Sequence, residues 1–501
     1  MDLLGLTALS TIQRTLDLIK IHQHKEIKLD EIPFDTPEIF ELINSKKTMG
    51  IFQLDTSAST KAASYIHPDC FTDIVDLIAI DRPGPMEQIP LFSDRKNKGY
   101  KTTYYDDSLI PILKHTHGII IYQEQIMQIA RVFAGFSLAE ADIFRRAISK
   151  KKTKDMLLMK DKFYAGARKL KRNEKTIENI FELLLKFASY GFNKSHSVAY
   201  SVISCRMAYL KANYPLEFYC SILESQYGSN DVKFSKYVAE IRRSKISIQV
   251  PNINESSYNF KIYNNSLLMP LTNIGGLPNR VAMNIINDRN YKGKYKDFLD
   301  FVIRLTLTPE KITANQLSKL VDAGCFDSMY KNRAGLKKSI DGAIRYATTS
   351  IYKEGDLLDN FGLEFHYEDE IDDPKIRLQN EYNVLGIMIS DSPFNHIHLD
   401  SKIPVTPFDE LTSKRKANVV GIIKNIKVIT IKKGAHKGEP MAFIDVYDES
   451  ENLLNVTLFS DYYAIFQDQL VQDSIVLIQG RYEDSRDRPS FILEKIRRLG
   501  E

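Results

Sequence analysis

The residues best equipped for chemistry stand together in "NKSHSVAY", residues 193–200, just where a helical pattern begins. The first N–H groups of a helix lack intrahelical partners, and the helix dipole is positive at that end. Asn193, Lys194, Ser195 and His196 therefore make a place suited to phosphate. His196 and Tyr200 are four apart and share a face of the first turn. Flat rings beside an anion site suit a nucleotide, with phosphate at the helix end and the base against a ring. The same residues also suit an ordinary Ser N-cap with solvated neighbours, and the stretch alone leaves both open. Helical spacing puts Val198, Val202, Cys205 and Tyr209 on one apolar stripe, and Pro215 stops the helix.

A second candidate is "RRAISKKK". Arg145 and Arg146, followed by Lys150, Lys151 and Lys152, could clamp a triphosphate or a DNA backbone. Cations near a helix C-terminus need no such function, so this reading is also two-sided. "IGGLPNRVAMNII" has the form of a helix-hairpin-helix turn, with Gly275, Gly276 and Arg280 as its DNA-facing residues. An ordinary helix entry reads the same way. The loop "TIKKGAHKGEP" carries Lys432, Lys433 and Lys437, a set that could track single-stranded nucleic acid or simply be solvated. "HQH" at 22–24 and "HTH" at 115–117 lack a second ligand pair at useful spacing. Cys70, Cys205, Cys220 and Cys325 are far apart with no C-x-x-C pair, which points to a reducing compartment.

The elements that must position these groups follow from periodicity. The chain has 501 residues, of which 43% are hydrophobic and 26% charged, so several domains are expected. Its apolar runs are far short of the roughly 20 residues that span a bilayer, so no membrane is expected. The net charge of +4 conceals an asymmetry. Residues 145–172 hold 12 Lys/Arg against 2 Asp, whereas 354–374 hold 9 acidic residues and no Lys or Arg. The basic block favours a polyanion partner. Residues 1–225 read as mostly helical, with a short buried strand in "GIIIYQ" and a capping box of Ser137 and Glu140. Residues 226–345 are mixed, and 346–414 read as an acidic linker and connector. From about 415 the period changes to two, in short strands that suit an OB-type barrel.

Taken together, the strings "DLLGLTALSTI", "MGIFQLDTS", "DRPGPM", "GIIIYQEQIMQIA", "LAEADIFRRAISKKK", "YGFNKSHSVAYSVISCRMAYLKANYPLEFY", "VPNINESSYNF", "LVDAGCFD" and "LGIMISDSPF" resemble one family. It is the bacterial family C DNA polymerases, of the DNA polymerase III alpha subunit type without an inserted exonuclease. The strings run in the family's order and cover nearly the whole chain, from the end of the palm onward. The fold class expected is multidomain α+β, predominantly helical and closed by the small barrel. The resemblance implies a palm remnant at 1–30, fingers at 31–225, a clamp-binding helix-hairpin-helix domain at 226–345 and an OB-fold at 415–501. It also implies that Arg145, Arg146, Lys150, Lys151 and Lys152 face the dNTP phosphates. Asn193, Lys194, Ser195, His196 and Tyr200 would line the pocket of the nascent base pair.

Members of the family hold two Mg²⁺ ions on three palm aspartates. Asp2, in "MDLLGL", matches the third of them, as catalytic residue and metal ligand. The Asp-x-Asp pair that supplies the others is not among these residues, so this chain alone is expected to be inactive. Pro278 stands where the family's hairpin usually has a second Gly, which removes an N–H donor. "GDLLDNFG" occupies the place of the clamp-binding peptide without its Gln, leaving Leu357, Leu358 and Phe361 as anchors. The partners implied are primer–template DNA, single-stranded template, dNTPs, the sliding clamp (beta subunit) and other replisome subunits, in the cytoplasm. The alternative is a non-catalytic module that binds primer–template or single-stranded DNA and the clamp.

Overall fold

Ser137 and Glu140 cap each other as the sequence predicts. The Ser137 N–H donates to Glu140 Oε2 at 2.7 Å, and the Glu140 N–H to Ser137 Oγ at 3.3 Å. They belong to a computed structural model that describes residues 6–499 except 83–84, 151–152, 189–190, 226–230, 307, 309–310, 352–364, 398, 401–402, 450–451 and 484–488. The chain divides into two units, 1–225 and 226–501.

The first unit is helical: α1 (Thr7–Gln23), α2 (Pro37–Asn44), α3 (Ser57–Ile66), α4 (Phe71–Ile80), α5 (Ile89–Asn97) and α6 (Ile110–Leu113). There follow α7 (Gln123–Ala134), α8 (Leu138–Lys150), α9 (Thr153–Lys169), α10 (Glu174–Ala188), α11 (Lys194–Asn213) and α12 (Pro215–Ser225). Phe133, Phe144, Phe163 and Phe181 bring α7 to α10 around one aromatic core. Gly166 lets α9 meet the end of α7 at backbone distance, because a Cβ there would lie 2.0 Å from the Ala134 carbonyl oxygen. The expected buried strand is the extended run Ile119–Tyr122, which forms an isolated parallel bridge between Tyr122 and Phe192. Phe192 donates to the Ile121 carbonyl, and Gln123 donates to that of Phe192, each at 2.9 Å. The starts of α7 and α11 are thereby fixed side by side.

The apolar stripe expected on α11 is corrected by the structure. Val198 is exposed, and the buried face runs through Ser197, Ser201, Ser204, Cys205 and Ala208. Serine can be buried here because its hydroxyl finds a carbonyl. Ser197 donates to Val75 at 2.6 Å, Ser201 to Ser197 at 2.8 Å and Ser204 to Phe52 at 2.7 Å. Cys205 and Cys220 are free and buried, and burial pushes both thiols up to about 12.

The second unit opens with α13 (Asp231–Arg243) and a small sheet of β1 (Ile248–Gln249), β2 (Lys261–Tyr263) and β3 (Ser266–Leu268), ordered β1–β3–β2. Helices α14 (Asn279–Lys292), α15 (Phe298–Thr306), α16 (Ala314–Asp322), α17 (Arg333–Lys338), α18 (Ile340–Ile351) and α19 (Pro374–Leu385) follow. Two of them enter the stretch read as linker and connector: α18 runs on to Ile351, and α19 lies within it. The anchor of α19 is Glu381, fully buried against Arg333 at 2.7 Å. The barrel is β4 (Lys416–Thr430), β5 (Pro440–Tyr447), β6 (Leu453–Leu458), β7 (Ile475–Glu483) and β8 (Ser490–Arg498), with α20 (Ser460–Phe466) between β6 and β7. It closes in the order β4–β5–β6–β8–β7, and Ala442, Ile444, Val446, Val476, Ile478, Phe491 and Leu493 fill it. The register slips at Gly480, where a Cβ would stand 2.1 Å from the Ile492 carbonyl oxygen. The chain is thus mostly helical with a closed five-stranded barrel at its C-terminal end, the α+β class expected. No helix among the described residues is long and apolar enough to cross a membrane.

Candidate nucleotide and nucleic-acid sites

Helix α11 starts at Lys194 with Asn193 as its N-cap, whose side chain accepts from the His196 N–H at 2.8 Å. The backbone N–H of Lys194 lies 3.1 Å from both carboxylate oxygens of Glu124, at the start of α7. The Ser197 N–H is taken by the Asn193 carbonyl at 3.1 Å. The expectation that this helix end offers a set of open N–H donors is therefore corrected, since Asn193 and Glu124 hold most of them. An anion here would be met chiefly by side chains.

Those side chains are close by. His196 and Tyr200 share a face as expected, and their rings pack at a tilt of 49° with centroids 3.9 Å apart. Phe192 meets His196 edge-on at 5.5 Å, and Phe52 meets Tyr200 edge-on at 4.9 Å. The Lys194 ammonium sits over the Tyr122 ring at 5.4 Å, and the Arg82 guanidinium over Phe192 at 3.8 Å. Tyr122 bridges to Phe192, and its hydroxyl donates to the buried Asp76 carboxyl, which burial pushes up to about 7.

Arg145 joins this site through Gln123, whose Oε1 accepts from Arg145 Nη1 at 2.8 Å. Gln123 and Glu124 thus hold the second candidate stretch and the first from adjacent positions. Arg145 and Arg146 also share Asp142, each at 2.7 Å through a different carboxylate oxygen. Their hydrogen bonds and charges hold that carboxyl below its ordinary range, Arg145 contributing most. The two arginines are thus partly neutralised. Lys151 and Lys152, the Lys150 side chain, Asp2 and the clamp anchors Leu357, Leu358 and Phe361 lie outside the described residues.

In the second unit, Gly276 takes the positive φ of 74° that the hairpin turn requires. The Gly275 N–H does not face outward to a phosphate: it donates to the Val384 carbonyl at 2.6 Å and seats α19. Arg280 is exposed, and Lys319, which sequence reasoning missed, donates to the Gly275 carbonyl at 3.2 Å. Lys432, Lys433 and Lys437 are exposed on the β4–β5 loop. His436 ties that loop to the start of α20 through Asp461 at 3.7 Å, beside the exposed rings of Phe459 and Tyr462. Sequence reasoning also missed Arg82, Gln123, Glu124 and Asp142. All four stand inside the strings that carry the resemblance, but nothing local in the sequence shows which partners the fold brings to them.

A helical unit with cations and rings around a helix start is followed by a hairpin turn and an OB-type barrel, two folds of the nucleic-acid-binding class. Comparison with known proteins makes this specific. Residues 8–171 match the bacterial DNA polymerase III alpha subunit finger domain, 245–336 a helix-hairpin-helix motif and 417–499 an OB-fold nucleic acid binding domain. The chain is 34% identical over 500 residues to DNA polymerase III subunit alpha of Staphylococcus aureus (strain MSSA476), covering 99% of this chain and 46% of that one. The same protein of Bacillus subtilis (strain 168) is 34% identical over 504 residues, covering 99% and 44%. The chain is thus similar to the bacterial DNA polymerase III alpha subunit family, from the finger domain onward, and matches its C-terminal portion. It spans less than half the length of the relatives it matches.

Proposed function

We propose that this chain is the fingers-to-barrel part of a template-directed DNA polymerase of bacterial chromosome replication. In this reading it receives the incoming dNTP at the start of α11 and holds primer–template and single-stranded template on its second unit. The observation that carries the reading is the meeting of Arg145 and the α11 start on Gln123 and Glu124, in a chain of this family. Arg145, Arg146 and Lys194 would take the phosphates, with Arg exchanging its carboxylate partner for a phosphate of similar fork geometry. His196 and Tyr200 would face the base or sugar as a packed pair of tilted rings. Ser195 and Asn193 would order the helix start.

The family's divalent metal is expected on palm carboxylates. The acids beside the candidate site, Glu124 and Asp142, are both held by donors and do not fit that role. Among the 501 residues there is no Asp-x-Asp pair, and we propose that a polypeptide of these residues does not extend a primer unaided. On the second unit, the exposed lysines of the β4–β5 loop with Phe459 and Tyr462 suit a single strand, cations on its backbone and rings on its bases. That feature also favours the second reading, a non-catalytic DNA-holding module. Sliding-clamp and replisome contacts belong to the proposal as well.

The test is primer extension with Mg²⁺ and four dNTPs, together with DNA and dNTP binding by the same chain. The expected result is binding of both, silence alone, and extension when the N-terminal portion of a relative is added. Extension by the chain alone overturns the proposed inactivity. DNA binding without dNTP binding favours the module, and binding of neither removes the polymerase reading.

A further inference from the structure

The cations at the start of α11 are held in two different ways. Arg145 and Arg146 are committed to Asp142. Arg82 is exposed, and its guanidinium lies 3.8 Å from the ring of Phe192, the residue directly before the Asn193 cap. Among the described residues no carboxylate forms an ion pair with it. Its neighbour Asp81 is half-buried, with one buried oxygen lacking a hydrogen-bond partner among the described residues, and feels the Arg82 charge without pairing with it. The backbone at Arg82 is fixed, since its N–H donates to Ile80 at 2.8 Å and its carbonyl accepts from Met86 at 3.1 Å. Only the side chain is left to turn.

An exposed cation over a phenyl ring is weakly held compared with a guanidinium hydrogen-bonded to phosphate. Of the arginines around this helix start, Arg82 therefore gives up least on moving to an anion. We infer that Arg82 is a ligand of the nucleotide's polyphosphate, resting on Phe192 when no nucleotide is present and turning to the phosphates when one arrives. The inference rests on the reading of this site as a dNTP site. It assigns Phe192 a distinct role, a seat that holds the guanidinium near the helix end in a defined orientation without neutralising it.

The test is calorimetry of the 501-residue chain with inorganic triphosphate and with a dNTP, at low salt, for wild type, R82Q, R82K and F192L. We expect R82Q to bind triphosphate at least fivefold more weakly, R82K to recover part of the loss, and F192L to bind as well as wild type or better. Thermal melting of R82Q should match wild type. If wild type binds neither probe, the dNTP-site reading fails and this inference with it. If wild type binds and R82Q binds equally well, Arg82 is not a ligand although the site reading stands. Equal losses in R82Q and F192L would show that the ring contact supports the fold rather than storing a ligand, and would overturn the inference. So would a R82K variant as weak as R82Q with a lowered melting temperature.

Discussion

Glu124 and Lys194, 70 residues apart in sequence, meet at the start of α11, where the Glu124 carboxylate accepts from the Lys194 backbone N–H at 3.1 Å. The place a phosphate would take thus carries a fixed negative charge. A carboxylate at a helix N-terminus contributes about 0.3–1 kcal/mol. Glu124→Gln should cost that much in stability and raise the affinity for inorganic triphosphate severalfold. Paired melting and calorimetry check this. A fall in affinity at unchanged stability would mean that Glu124 assists the anion and does not compete with it.

Asp76 gives the first unit a pH dependence with a defined sign. Burial, helped by nearby Asp73, holds its carboxyl at about 7, against about 3.9 in an unfolded chain. Between these values the unfolded state gives up its proton first, so this group's contribution is complete below pH ~4 and is lost as pH rises to ~7. Asp76→Asn keeps an acceptor for Tyr122 and removes the titration. Its melting temperature should exceed that of wild type above pH 7, with the gap closing toward pH 4. A gap independent of pH would show that Asp76 is not the titrating group.

Glu381 holds three things at once. It pairs with Arg333 at 2.7 Å, and its other oxygen accepts from the N–H groups of Ile389 and Ser390 at 2.5 and 2.8 Å. Removing one member of a buried pair costs about 3–5 kcal/mol. Arg333 keeps Asp327 at 2.6 Å, so Glu381→Ala should fall near about 3 kcal/mol in urea unfolding. A loss under about 1 kcal/mol would show that the pair adds little beyond hydrophobic packing.

The β4–β5 loop makes a prediction about salt. Replacing Lys432, Lys433 and Lys437 by Gln should weaken binding to single-stranded DNA of every sequence alike. The slope of log K against log salt should flatten by about 0.7 for each lysine that meets a phosphate. Titrations from low to moderate salt measure it, and an unchanged slope would take the loop off the DNA.

The barrel was legible because alternation with period two survives in any strand buried on one face, as in Ala442, Ile444 and Val446. The cap of α8 was legible because Ser137 and Glu140 are close in sequence. Helix α11 was misread on its buried side, since hydropathy does not register a serine whose hydroxyl is returned to a carbonyl. Arg82, Glu124 and Asp142 were silent for another reason. Their roles depend on partners brought by the fold, and a lone charged residue in a sequence looks solvated. The commitment of the Gly275 N–H to Val384 was hidden in the same way.

The serine face of α11 has a mechanical consequence. A helix resting on long side chains can rock as their rotamers change, whereas Ser197 and Ser204 rest by single Oγ atoms on the carbonyls of Val75 and Phe52. There is little slack in such a seat. His196 and Tyr200 therefore inherit the positional tolerance of backbone rather than of side chains. The rings are carried on a stiff spindle, and a larger group at Ser197 or Ser204 would displace the spindle itself.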